Sequence, residues 1–229
     1  MWVPETRFEA MRGRDKGEVI SRDNREFESR TFSRSRHGAE GGAYGVSIHG
    51  TVPVMLHPSD VYVLAGLVSL ADDDWTFRSL ADKLEVPHAS VQRGLARAAE
   101  AELFLPGSRG VHLPNFEEFL VHGVRFLAPA RLGAVVPGVP AAWAASPMVD
   151  LIRESGDALP PVWPAAEGRV RGQALEPLHP SAVVSSAAFP EFGEILAIID
   201  CLRAGDVRVR SVAADAVIRA LREPTVRRA

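Results

Sequence analysis

Leu80-Ala-Asp-Lys-Leu-Glu-Val-Pro-His-Ala-Ser-Val-Gln-Arg-Gly-Leu95 is the stretch on which the reading of this chain turns. Apolar residues recur at helical spacing on both sides of Glu85-Val-Pro87: Leu80, Ala81 and Leu84 before it, Val91 and Leu95 after it. The first helix starts at Thr76, a good N-cap, carries Phe77 on the same face and is short. Pro87 suits the first turn of the second, which is expected from His88 to about Glu102 with Val91, Leu95, Ala98 and Ala99 inward. Ala81 is small, as two helices crossing there require. Leu84, Val86, Val91 and Leu95 then fill the angle between them.

Upstream, Val61, Leu64, Ala65, Leu67, Val68 and Leu70 predict a helix from Pro58, with Ser59 or Asp60 near its N-terminus and Asp72-Asp-Asp74 as its stop. Downstream, Leu103-Phe-Leu105 and Val111-His-Leu113 flank Pro106-Gly-Ser-Arg-Gly110, whose glycines suit a tight hairpin. A further helix from Phe116 to about Phe126 is expected to pack Phe119, Leu120 and Val124 back on the core.

Helix, short turn, helix, then hairpin is the order of a winged helix-turn-helix. The segment 80–95 resembles the core motif of winged helix-turn-helix transcriptional regulators, both MarR-like repressors and antitoxin-type proteins. Glu85 departs from that motif, where Gly usually takes a left-handed conformation; a residue with a Cβ there costs on the order of 1 kcal/mol. The resemblance implies a dimeric regulator that reads two half-sites of duplex DNA with the helix from His88. Its rival implication is a protein-binding module that grips a cognate toxin with an extended segment and represses its own operon.

With the apolar face of that helix turned inward, the opposite face offers His88, Ala89, Ser90, Gln92, Arg93 and Arg97, none of them acidic. Gln pairs with adenine and Arg forks onto guanine, while Ser, His and Arg bond phosphates. Arg109, at the expected hairpin tip, is a further candidate for phosphate or the minor groove. Against this, residues 55–128 carry six basic and ten acidic side chains, several of the acids in Asp72 to Asp74, away from the proposed DNA face.

The fold class expected is therefore mainly α with a small β-wing, in four segments: a disordered tail over 1–52, the winged domain over 53–128, a proline-rich extended arm over 129–186 and a helical hairpin over 187–223. The tail mixes charge with Ser and Gly, as in Ser29-Arg-Thr-Phe-Ser-Arg-Ser-Arg36, and cannot bury enough surface to offset chain entropy. The arm holds nine prolines, three of them in Leu159-Pro-Pro-Val-Trp-Pro164, which break long elements. A short helix is expected near Met148 to Glu154. Trp143 and Trp163 lie among these prolines as candidates for a partner groove, unless the arm wraps its own domain. The hairpin, Glu191 to Leu202 and Val207 to Leu221, is too small to stand alone and is expected to dock on a second copy or another partner. Its polar side carries Arg203, Arg208, Arg210, Arg219 and Arg222, continuing to Arg227 and Arg228.

Composition removes other classes. The 26 basic and 29 acidic residues nearly balance, so no overall cationic field exists and any DNA contact must be local. A single cysteine, Cys201, excludes an internal disulfide framework and reads as a buried small hydrophobe. With no secretory leader or long apolar span, a soluble, cytoplasmic protein is expected, with no membrane partner. Gly41-Gly-Ala-Tyr-Gly45 has no strand before it and no Lys-Ser/Thr after it, so it is not a phosphate loop. The histidines do not pair at metal spacing, His112 and His122 included, and no serine sits in a nucleophile elbow. No cofactor, metal or catalytic residue is expected.

Overall fold

The computed structural model describes residues 55–70, 74–152 and 159–222. The tail over 1–52, Asp72 and Asp73, the end of the expected helix at Glu154, and Arg227 and Arg228 lie outside the described residues.

Helix α1 (Pro58–Val68) begins with proline in its first turn, and Asp60 accepts a hydrogen bond from His57 N at 2.8 Å. Residues 60–67 are all buried, so α1 is a central rod and not a one-sided surface helix. Helix α2 (Phe77–Leu84) is closed at its start by a reciprocal pair: Ser79 N donates to Thr76 Oγ1 at 3.0 Å, and Thr76 N to Ser79 Oγ at 2.9 Å. It ends at Glu85, which takes the left-handed conformation (φ 54°, ψ 44°) that glycine would adopt without penalty. Val86 N then bonds back to Ala81 O at 3.0 Å, and α3 (His88–Glu100) starts after Pro87. Val91, Leu95 and Ala98 are fully buried against α1 and α2.

Strands β1 (Phe104–Leu105) and β2 (Gly110–Val111) pair antiparallel, Phe104 with Val111 and Leu105 with Gly110. The helix expected from Phe116 starts earlier, as α4 (Leu113–His122), because the His112 ring accepts from Asn115 N and caps it. It breaks at Gly123 into α5 (Val124–Leu127).

The proline-rich region is the largest departure from expectation. Instead of an extended arm, it forms a closed three-stranded barrel of β3 (Val135–Pro140), β4 (Pro161–Pro164) and β5 (Val170–Ala174). β3 runs antiparallel to both partners, which are parallel to each other. Proline is tolerated because these positions are used for their carbonyls: Pro137, Pro160 and Pro161 accept from Ala165, Gln173 and Ala141 N. Only glycine fits two of the inward positions. A Cβ on Gly138 would lie 2.3 Å from Trp163 O, and one on Gly172 would lie 2.1 Å from Pro160 O. Val162, fully buried, fills the space they leave.

A 3₁₀ turn (Ala142–Ala144) and α6 (Met148–Leu151) connect β3 to β4. Three helices close the chain: α7 (Ala182–Ala188), α8 (Pro190–Ala204) and α9 (Val207–Arg222). Helix α8 is buried from Ile195 to Arg203 on every side. Phe192 meets the Tyr62 ring of α1 edge-on at 4.9 Å, so the terminal helices share the core of α1. The described residues accordingly fall in one compact unit, which shows no break at 128 or 186.

A buried polar cluster ties the barrel to α8. Trp163 Nε1 donates to Asp200 Oδ2 at 2.7 Å, and Arg203 Nη1 to Asp200 Oδ1 at 2.5 Å. Arg203 also donates from Nε to Ala128 O at 2.8 Å and from Nη2 to Glu176 O at 3.2 Å. Burial pushes the Asp200 carboxyl above the usual carboxylate range, while Arg203 and Trp163 pull it the other way. Arg203, expected on a polar outer face, is an internal staple. Cys201 beside it is buried, and burial raises its thiol pKa.

The architecture is mainly helical with two small sheets. No helix among the described residues is long and apolar enough to cross a membrane.

Candidate nucleic-acid interface

Helix α3 is held by its inner face and left open on the other. His88, Ala89 and Arg93 are exposed, and Ser90 and Gln92 are half-buried, so five of the expected residues share one helix end. The His88 ring lies edge-on to Phe77, centroids 6.0 Å apart, which brings the N-termini of α2 and α3 together. Arg78, next to Phe77 on α2, is exposed. It was not singled out in the sequence, although the cap at Thr76 and the burial of Phe77 and Leu80 leave residue 78 facing outward.

Arg97 does not belong to this face. Its guanidinium is bidentate on Asp60 of α1, Nε to Oδ2 at 2.7 Å and Nη2 to Oδ1 at 2.5 Å. The Asp60 hydrogen bond raises the Arg97 pKa further. Arg93 and Arg97 lie one turn apart on nearly the same side of the helix, so position along the axis separates them: Arg97 stands beside Gly94, which faces Asp60 of α1. A Cβ there would stand 3.0 Å from Asp60 Oδ1. Charge in the sequence marked Arg97 as polar, but its buried partner lies 37 residues away.

Arg109 is also committed within the chain. It has φ 54° in the hairpin turn, stacks its guanidinium 4.7 Å from the Trp75 ring centroid and donates to Trp75 O at 2.7 Å. Trp75 Nε1 returns a bond to Arg109 O at 3.2 Å. Trp75 in turn meets Phe77 at 5.5 Å and Phe104 at 6.4 Å, both edge-on. An aromatic row therefore runs from the hairpin through Trp75 and Phe77 to His88, fixing the hairpin relative to α3.

Of the two tryptophans read as partner contacts, Trp163 is buried on Asp200 and is unavailable to a partner. The reason is the barrel: β4 turns this side chain onto α8. Trp143 is half-buried in the 3₁₀ turn. His112 caps α4, and His122 lines a groove of about 730 Å³ between α4 and α9, with Leu113, Val121, Ile218 and Leu221 among its walls and the Arg222–Glu117 ion pair (2.8 Å) beside it. Among the described residues, no group of His, Cys, Asp and Glu is placed to hold a metal.

No protein-family model, no curated protein and no solved structure matches the chain.

Proposed function

We propose that this protein is a sequence-specific, duplex-DNA-binding transcriptional regulator, that α1 to α3 with the β1–β2 hairpin constitute a winged helix-turn-helix, and that α3 enters the major groove. The observation that carries the reading is the outward face of α3: open from His88 to Arg93, free of acid, and bearing Ser90, Gln92 and Arg93 for base and phosphate contacts. Arg78 on α2 is suited to the phosphate backbone, as the first helix of such a pair crosses the strand.

The rival reading, a module that holds a toxin with an apolar arm, has lost its principal anchor, because Trp163 and the apolar faces of α8 are used inside the molecule. A homodimer remains part of the proposal. One domain with few free basic groups on this face neutralises only a handful of phosphates, and two copies engaging half-sites about 34–36 Å apart supply the missing affinity.

The test is selection from a pool of randomised duplexes by the purified protein at fixed salt. Enrichment of two related half-sites, bound at least about a thousandfold more tightly than unrelated duplex, is the expected result. Recovery of no common sequence would overturn the reading.

A further inference from the structure

The turn that delivers α3 is gripped by a segment almost a hundred residues further along the chain. Ser181 Oγ donates to Glu85 O at 2.7 Å, on the one left-handed residue of that turn. Tyr62 Oη bonds Leu84 O at 3.0 Å and Ser185 Oγ at 2.6 Å, and Ser185 Oγ also reaches Ser181 O at 2.8 Å. The His179 ring stacks on Tyr62 with centroids 4.8 Å apart and accepts from Ser181 N at 3.1 Å. Lys83, at the end of α2, holds its ammonium 5.3 Å from the centre of the Phe189 ring. Four side chains of one short segment, His179, Ser181, Ser185 and Phe189, thus converge, directly or through Tyr62, on the last turn of α2 and the first residues after it.

These bonds fall on the carbonyls of Leu84 and Glu85, where α2 ends and its own ladder leaves oxygens without intrahelical partners. The left-handed residue is therefore held by the turn's own bonds, Val86 N to Ala81 O among them, and by one from outside the motif, Ser181 Oγ to Glu85 O. Tyr62 stays a neutral hydroxyl throughout the physiological range, because burial pushes its pKa up to about 12. The segment itself is anchored at both ends, by β5 and Leu175 on one side and by α8 on the other.

Building on the DNA-binding reading above, we propose that the segment His179–Phe189 sets the angle at which α3 is presented to DNA, with Ser181 and Ser185 as positioning residues that act through the turn at Glu85. The remainder of the C-terminal half is then coupled to base readout without touching the duplex. The device follows from rigidity: a turn held by its own residues alone leaves α3 free to rock, and base-edge bonds tolerate less misplacement than phosphate contacts do.

The experiment compares full-length wild type with Ser181→Ala, Ser181→Thr and Ser185→Ala by amide hydrogen exchange and by titration with a selected duplex and an unrelated one. In Ser181→Ala, exchange of the amides at 85–91 rises and preference for the selected duplex falls, each by about three- to tenfold, the effect of one hydrogen bond. Affinity for unrelated duplex and its salt dependence stay as in wild type, and Ser181→Thr, which keeps the hydroxyl, restores both readouts. Ser185→Ala moves in the same direction. Unchanged exchange at 85–91 in both alanine variants overturns the proposal, as does an equal loss on selected and unrelated DNA. Should wild type itself show no sequence preference, the functional reading fails on its own, and the exchange arm still decides whether Ser181 holds the turn.

Discussion

Arg97 and His179 show how single side chains in this molecule trade solvent for internal partners. The Asp60 carboxylate is buried, and Arg97 is the cation that pairs with it, so Arg97→Ala leaves an unpaired charge on α1 with only the bond from His57 N. Chemical denaturation of this variant is expected to show a loss of about 3 kcal/mol, as removal of one partner of a buried pair does. A loss below about 0.5 kcal/mol would mean that the pair behaves like an exposed one. His179 is shifted the other way: burial lowers its pKa from the ordinary value near 6.5. As pH falls through 6.5 the unfolded chain takes up the proton first, so stability contributed by neutral His179 is present above that pH and declines below it. Its Nδ1 is also the acceptor for Ser181 N, a role a proton there abolishes. Melting temperature followed from pH 7.5 to 5 is expected to fall less in His179→Gln than in wild type; identical profiles would exclude His179 as a source of the acid sensitivity.

At the scale of elements, the barrel makes the sharpest claim. Gly172→Ala places a methyl group 2.1 Å from Pro160 O, just before β4, a backbone atom that cannot step aside. The variant is expected to melt well below wild type, by an amount typical of overpacking, about 1–3 kcal/mol or more; an unchanged transition would show that the strands have another register. The same element explains what the sequence did not disclose. The α2–turn–α3 unit was readable because Leu80, Ala81 and Leu84 after the cap at Thr76, and Val91 and Leu95 beyond Pro87, each recur at helical spacing, and the left-handed turn at Glu85 falls between the two patterns. The barrel was hidden because prolines, normally strand breakers, are here used for their carbonyls, and because its inward positions are glycines that give no alternating apolar signal. Helix α7 was hidden for a related reason: Ala182-Val-Val-Ser-Ser-Ala-Ala188 has no apolar stripe, and its Ser185 serves a partner far away in the chain, Tyr62. Within the candidate site, charge alone could not separate Arg93, which faces outward, from Arg97, which faces Asp60.

For the whole molecule, the central fact is that α8 belongs to the same core as α1. A chain truncated after Ser186 loses Phe192, Leu196, Ile198 and Ile199, all buried, together with the Asp200–Arg203 cluster. It is expected to be insoluble or to lack a cooperative thermal transition, whereas a folded, stable fragment would restore the view of the last helices as a separable docking hairpin. One compact unit also means that α3 is displayed by the entire fold, with its inner face, its turn and the adjacent hairpin each fixed by bonds to other elements. The claim that the outer face of α3 reads bases is tested most directly by measuring the base preference of Arg93→Ala and Arg97→Ala beside wild type, on every single-base variant of the selected duplex at one salt concentration. The expected result is that Arg93→Ala loses about 1–3 kcal/mol on the selected duplex and becomes indifferent at one base position per half-site, while Arg97→Ala, at a temperature where it is folded, keeps the wild-type preference profile. A profile for Arg93→Ala that matches wild type at every position would contradict the account.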